Sequence, residues 1–267
     1  MKSPIVWVGG KRLLAKKIIP LIPPHTCYVE PFGGGGWILF TKERMRSLAG
    51  DFAIEIYNDI NGDLYNFFLQ LKFHGKELIR EAEGFFISRR LFAELKTYKP
   101  LTEIQRAARF LLIINFSFGA MGDHFATGRI SGGAAKSKWA VIECLAKARE
   151  RLDNVLVENL DFERCIAQYD SPETFFYCDP PYFHGVGYDK QGVVFTMDDH
   201  ARLRACLGRI KGKFLLSYDD CSEALRFYKG FKIERVARQK GINLKAGKTG
   251  SRSFRELLIR NYSLVGS

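Results

Sequence analysis

The chain has 267 residues, 46% of them hydrophobic and 26% charged, which excludes wholesale disorder. That length suits one α/β domain with a large insertion, or two domains. Lysine and arginine number 41 against 29 acids, a net charge of +12, so a polyanionic partner is the simplest expectation. No apolar run approaches ~18 residues and no secretory leader is expected, so a membrane-spanning or exported chain is not anticipated. The six cysteines show no C-x-x-C spacing, and the five histidines are too scattered for a metal motif. Reduced thiols and a cytoplasmic setting are the expectation, with no metal.

Trp7-Val8-Gly9-Gly10-Lys11 opens the chain, and an amphipathic pattern (Leu13, Leu14, Ile18, Ile19) follows, stopped at Pro20. Glycines before a helix start let the backbone approach a ligand, and Lys11 brings a charge there. Tyr28 to Glu30 reads as a short strand, Pro31-Phe32-Gly33-Gly34-Gly35-Gly36 as a glycine turn, and Trp37 to Arg46 as a helix. Strand, glycine loop and helix in that order shape a nucleotide-type cofactor site. The next strand, Ala53 to Tyr57, ends in Asn58-Asp59-Ile60-Asn61. Asp59 is spaced from the glycines as an acid that meets ribose hydroxyls would be.

From Gly62 to about Ala135 helical patterns dominate: Asp63–Phe73, Lys76–Glu83 and Thr102–Phe116, with Thr102 as N-cap. A glycine-rich, aromatic-spotted loop, Phe116 to Gly133, is too long for a plain connector. Residues 62–135 are therefore expected to form a mostly helical inserted lobe carrying a recognition surface. Residues 1–61 and 136–267 would form the two parts of a catalytic domain. In the loop and the helix before it, Asn115, Asp123, His124 and Arg129 offer donors and acceptors suited to base edges.

A helix is expected over Lys136–Arg151, a strand over Val155–Asn159 and a short helix from Asp161. Thr174 to Cys178 then reads as a buried strand running into Asp179-Pro180-Pro181-Tyr182. Proline cannot feed a ladder and restricts its predecessor, so the strand stops at Asp179. A carboxylate, a stiff turn and an aromatic ring thereby meet at a strand's C-terminal end, where open α/β sheets bind ligands. Phe195 to His200 caps a further helix; a strand (Lys213–Tyr218) and a helix (Ser222–Tyr228) follow. Lys232–Ala237 and Arg255–Tyr262 flank a basic loop and suggest an antiparallel hairpin at the sheet edge.

Asp-Pro-Pro-Tyr at one strand end, Pro-Phe-Gly-Gly-Gly at another and an acid closing a third together resemble the Dam-type DNA adenine N6-methyltransferases of the α group. The likeness covers most of the chain and implies a Rossmann-like S-adenosylmethionine (SAM) methyltransferase fold: a mixed sheet with a closing antiparallel hairpin plus an inserted helical target-recognition lobe. It implies SAM as cofactor, held by Trp7, Lys11, Phe32, Asp59, Asp161, Phe162 and Asp179 and by the loop of Glu30, Pro31, Gly33 and Gly35. It implies methyl transfer to N6 of an adenine flipped out of double-stranded DNA, within a short specific sequence, by a monomer. Asp179 and the Pro180 carbonyl would accept the amino hydrogens, with Pro181 stiffening the turn and Tyr182 stacking on the base. The sulfonium leaving group requires no metal. Phe116 follows Asn115 where the family often has arginine, so the target sequence is not implied. The alternatives are a methyltransferase acting on RNA adenine or cytosine N4, or a catalytically silent DNA-binding homologue; Asp before Pro-Pro-Tyr argues against the cytosine version.

Overall fold

The computed structural model describes residues 1–46, 50–126, 138–184, 194–238 and 254–264. Its strands are β1 (Cys27–Glu30), β2 (Ile54–Asn58), β3 (Val155–Glu158), β4 (Thr174–Cys178), β5 (Lys213–Asp219), β6 (Lys232–Arg238) and β7 (Phe254–Arg260). Its α-helices are α1 (Ala15–Ile18), α2 (Trp37–Thr41), α3 (Gly62–Phe73), α4 (Gly75–Gly84), α5 (Arg89–Thr97), α6 (Glu103–Phe116), α7 (Lys138–Leu152), α8 (Phe162–Tyr169), α9 (Met197–Leu207) and α10 (Ser222–Phe227). The strands form one sheet in the order β3-β2-β1-β4-β5-β7-β6. The first five in that order pair in parallel. β7 runs antiparallel to both β5 and β6, which is the closing hairpin the sequence predicts.

β4 shows why the centre of the sheet is nearly all apolar. Phe175 and Tyr177 enter one core, Phe176 and Cys178 the other, and all five of its residues are buried. A parallel sheet covered on both faces has no wet side, so alternation gives way to a continuous apolar run. Each such side chain contributes roughly 1.5–3 kcal/mol on burial. One face is covered by α1, α2, α3, α4, α6 and α7, and the other by α8, α9 and α10.

The helices after β2 share their core with the sheet: Leu64, Phe67, Phe68, Phe110 and Leu111 join Tyr28, Tyr57 and Phe175. Among the described residues a smaller cluster of Phe92, Leu95, Leu112 and Phe116 stands apart. The region expected as an inserted lobe is thus continuous in packing with the catalytic sheet. Thr102 caps α6 as expected, accepting from Gln105 N at 3.2 Å.

Two elements differ from expectation. Helix α5 is not foreseen, because Phe92 and Leu95 are its buried residues in a basic stretch; Ser88 caps it, accepting from Leu91 N at 3.3 Å. Helix α2 ends at Thr41 rather than at Arg46. Lys42 leaves the helix in an extended conformation, and its ammonium turns inward to the buried Glu55 carboxylate.

Candidate active site

The strand order turns at β1 and β4: the chain builds outward from β1 through β2 to β3, then returns to add β4 and β5 on the other side. Ligands of open α/β sheets sit at such a point, outside the carboxyl ends of the strands. In register, Glu30 lies beside Tyr57, and Val29 beside Phe176. Asp59 and Asp179, each following the last residue of its strand, therefore emerge on either side of the turn after Glu30.

The glycine turn is shaped by its neighbours' rings. A Cβ on Gly33 would stand 2.2 Å from the Tyr57 ring, and Gly34 has φ +49°, against the Trp7 indole. Tyr57 Oη donates to the Gly34 carbonyl at 2.7 Å. Gly34 N and Asn61 N both donate to the Asp59 carboxylate at 2.8 Å. Burial nevertheless raises the Asp59 pKa to about 6, with those two bonds pulling against it. Glu30 is raised to about 7, again by burial first, although Tyr28 Oη (2.6 Å) and Leu39 N (2.7 Å) donate to it.

Asn58 ties three strand ends together. Its amide donates to the carbonyls of Pro31 (2.9 Å) and Leu160 (3.0 Å), and its side-chain oxygen accepts from Leu160 N at 2.8 Å. This brings Asp161 and Phe162, at the start of α8, to the same cleft. Asp161 caps α8 through Glu163 N at 3.0 Å and pairs with Arg202 at 2.8 Å. Phe32 stacks on Phe162 with centroids 5.3 Å apart, and Phe195 meets Phe32 edge-on at 5.8 Å. These rings make an apolar wall.

On the opposite side stands the Asp179 turn. Lys11 is buried, 3% exposed, and its ammonium lies 2.7 Å from Asp179 Oδ1 and donates to the Gly9 carbonyl at 2.9 Å. Ser217 Oγ donates to the same Asp179 oxygen at 2.9 Å. The Lys11 ammonium is 4.8 Å from the Tyr182 ring centroid, and Tyr182 Oη donates to Glu256 Oε2 at 3.1 Å.

One cleft of about 970 Å³, open solvent at its mouth included, unites these groups. That is within the range of about 300–1,000 Å³ usual for small-molecule sites. Trp7 and Lys11 line it, as do Glu30, Pro31, Phe32, Gly33 and Gly35 from the glycine turn. So do Asp59, Asp161, Phe162, Asp179 and Pro181. Pro180 is buried behind the turn and Tyr182 is half-buried at its end.

The candidate base-reading residues lie elsewhere. Asn115 is 5% exposed, and its amide donates to the Leu111 carbonyl within α6. Asp123 is half-buried, its carbonyl accepting from Lys96 Nζ at 3.0 Å, and His124 is exposed. Arg129 and most of the basic loop Arg238–Arg252 lie outside the described residues. A second hollow, about 790 Å³ with its open mouth, runs from Trp7 past Asn61 to Lys96, Arg109 and Met121. Trp7 therefore borders both spaces.

The family model for D12 class N6 adenine-specific DNA methyltransferases matches residues 7–242. The chain belongs to this family. It is similar to the Type II methyltransferase M1.LlaDCHI of Lactococcus lactis subsp. cremoris, at 25% identity over 96% of this chain and 94% of that one. The DNA adenine methylase of Vibrio cholerae is 26% identical over 89% of this chain and 88% of its own. The Type II methyltransferase M.MjaIII of Methanocaldococcus jannaschii is 26% identical over 98% and 99%. This adenine-specific DNA methyltransferase accordingly transfers a methyl group to N6 of adenine in DNA.

Sequence reading did not single out Asn58, Phe195, Arg202 or Ser217 as site residues. Asn58 and Ser217 carried a signal: each is a polar residue directly following apolar or aromatic strand residues (Ile56-Tyr57 and Leu215-Leu216), and both are fully buried. Arg202 bridges Asp161, Glu163 and Asp199, which only the packing of α8 on α9 brings together. His184, Asp219 and Cys221 also bring potential ligand atoms within 4.8 Å of one another beyond Tyr182, a grouping the sequence did not suggest. Among the described residues no helix is long and apolar enough to cross a membrane.

Proposed function

We propose that the cleft binds S-adenosylmethionine and that the enzyme methylates an adenine flipped out of duplex DNA, in a short specific sequence. The observation that carries the reading is the meeting of Asp59, the glycine turn, the Phe32–Phe162 wall and Asp179 around one cavity. The residues fit such a cofactor chemically. Asp59 presents a carboxylate for a diol, its orientation fixed by two backbone amides. The stacked phenyl rings offer an apolar face to a purine, and Asp161 offers an acceptor beside them. Bound there, SAM supplies an electrophilic methyl on a sulfonium whose thioether leaves without metal assistance.

The protein's part in the reaction is to aim and polarise the amine. The lone pair of an adenine N6 is delocalised into the ring and attacks poorly. If Asp179 and the Pro180 carbonyl each accept one amino hydrogen, N6 is drawn towards tetrahedral geometry and its lone pair is directed at the methyl. Acceptors fixed before the reaction favour the charge that develops on N6, and alignment lowers the barrier further. A base inside a duplex cannot reach this turn, so it must be extruded. Tyr182 then provides the stacking face, and Lys11 steadies both that ring and the carboxylate.

The net charge of +12 favours first contact through phosphates. The helical region from α3 to α6 with the loop after it reads the target, and the hollow between Trp7 and Arg109 borders that region and shares Trp7 with the cleft. The test is to incubate the enzyme with SAM and unmethylated duplex DNA, digest to nucleosides and weigh the products. N6-methyladenosine in its deoxy form is expected, and it should vanish with Asp179→Ala. N4-methylcytosine, or transfer to RNA alone, would overturn the reading.

A further inference from the structure

The pairing of β4 with β5 does more than complete the sheet. Cys178 is in register with Leu216 in a parallel ladder, so Asp179, the first residue past β4, comes out beside Ser217, which is still held within β5. Ser217 is fully buried, in a strand whose neighbouring residues Phe214, Leu215, Leu216 and Tyr218 are all apolar or aromatic and buried. A hydroxyl enclosed in that way is costly unless it is hydrogen-bonded. Two acceptors lie within reach of its single proton, Asp179 Oδ1 at 2.9 Å and the Cys178 carbonyl at 3.5 Å, and the nearer, charged oxygen is the stronger acceptor. The contact with Tyr177 Oη at 3.2 Å must then run the other way, with the phenol donating to Ser217. Burial raises the Tyr177 pKa well above its usual value, so the phenol keeps its proton. A directed chain results, from Tyr177 to Ser217 to Asp179.

Lys11 reaches the same carboxylate, and it too lands on Oδ1, at 2.7 Å. Two donors on one oxygen fix the plane of the carboxylate and distinguish its two oxygens. The Asp179 side chain remains 16% exposed and lines the cleft. We propose that Ser217 is a positioning residue for methyl transfer: with Lys11 it holds Asp179 Oδ1, so that Oδ2 is the oxygen presented to the N6 amino group. The proposal rests on the assignment of Asp179 as the acceptor at N6. Lys11 alone would neutralise the carboxylate but leave it free to turn about its last side-chain torsion, because a lysine ammonium is a flexible point charge. Ser217, borne on the core of the sheet, supplies the rigid second contact.

The test compares wild type with Ser217→Ala and Ser217→Cys, using SAM and duplex DNA, with Asp179→Ala alongside. In Ser217→Ala, kcat should fall about 10- to 100-fold, the range for losing a hydrogen bond to a charged group. SAM affinity by calorimetry and KM for DNA should stay within about twofold, since only the aim of Asp179 is lost. Cysteine keeps the shape but donates weakly, so Ser217→Cys should be intermediate in kcat with SAM affinity and KM unchanged, and it is the deciding variant where alanine impairs folding. Wild-type kcat in the folded Ser217→Ala variant, or in Ser217→Cys where alanine impairs folding, would overturn the proposal. An equal loss of SAM affinity and kcat would also overturn it, showing a general structural role. Substantial activity in Asp179→Ala would instead overturn the assignment of Asp179 itself, so the two failures are distinguishable.

Discussion

Three carboxylates, Glu55, Glu30 and Asp59, lie on or just past the same pair of strands, and the protein treats the first in the opposite way to the other two. Glu55, early in β2 and beside Tyr28 of β1, is fully buried within a cage of cations. Arg151 holds both its oxygens, at 2.5 and 2.9 Å, with Lys42 against one of them and Arg44 at 3.6 Å. Burial pushes its pKa up, but the bonds from Arg151 and Lys42 win, and the net shift is downward. Glu30 and Asp59, at the carboxyl ends of those strands, are held by a phenol and by backbone amides, and burial wins: about 7 for Glu30 and about 6 for Asp59. Compensated charge is what a structural site needs. Acceptors left partly unmet, facing a cavity, are what a binding site needs.

The comparison is broken most forcefully at Glu55. Glu55→Leu would leave Lys42, Arg44 and Arg151 around an apolar side chain, and breaking a buried ion pair by removing one partner costs about 3–5 kcal/mol. Urea unfolding should show a midpoint lowered by that free energy divided by the m-value, with methyl transfer per folded molecule unchanged. A midpoint within error of wild type would mean the cage contributes nothing to stability.

Asp59 should behave in the reverse manner. Asp59→Ala should leave the unfolding midpoint nearly unchanged, because burial disfavours this carboxylate in the folded state. Its SAM affinity should drop by about 1.5–3 kcal/mol through loss of a charge-assisted acceptor. The sign of the pH effect follows from the raised pKa. The ionised, accepting form is complete well above pH 6 and is lost as pH falls through about 6. Calorimetric SAM affinity of the wild type should therefore plateau in the alkaline range and weaken below pH 6, while Asp59→Asn should be weaker throughout and flat. A wild-type affinity constant from pH 5 to pH 8, tested at roughly one-unit steps, would remove the Asp59 charge from binding.

Much of this was legible in the sequence because the site is built from strand ends. A strand announces itself by its apolar run, and proline or glycine announces where it stops. Asp179, Asp59 and the glycine turn could therefore be placed at one edge of a sheet before any packing was known. The requirement for glycine at position 33 was legible too, but its cause was not: the Tyr57 ring occupies the space a side chain would need. Helix α5 escaped because its buried face consists of Phe92 and Leu95 alone, too few positions to establish a helical period. The contacts of Ser217 and Arg202 escaped because they depend on register between strands and on which helices pack together, and neither is encoded locally. Base recognition is the least legible part: Asn115 is buried, its amide donating to the Leu111 carbonyl, and Arg129 lies outside the described residues.

Tyr182 offers the finest adjustment of the comparison, since its two ends belong to the two kinds of environment. Its hydroxyl donates to Glu256, which is 3% exposed and structural in character, while its ring stands beside Lys11 at the edge of the cleft. Tyr182→Phe removes only the hydroxyl. The ring face for a flipped base survives, as does its neighbour Tyr218, whose centroid lies 5.6 Å away. The loss in kcat should stay under about tenfold, or ~1.4 kcal/mol. Tyr182→Ala removes the face itself, and stacking of a base on an aromatic ring is worth about 1–3 kcal/mol, so that variant should lose most of its activity. Single-turnover methyl transfer with both variants separates the two ends of the side chain. If phenylalanine is as damaging as alanine, the bond to Glu256 rather than the ring is what catalysis requires, and the division between a structural end and a working end of Tyr182 collapses.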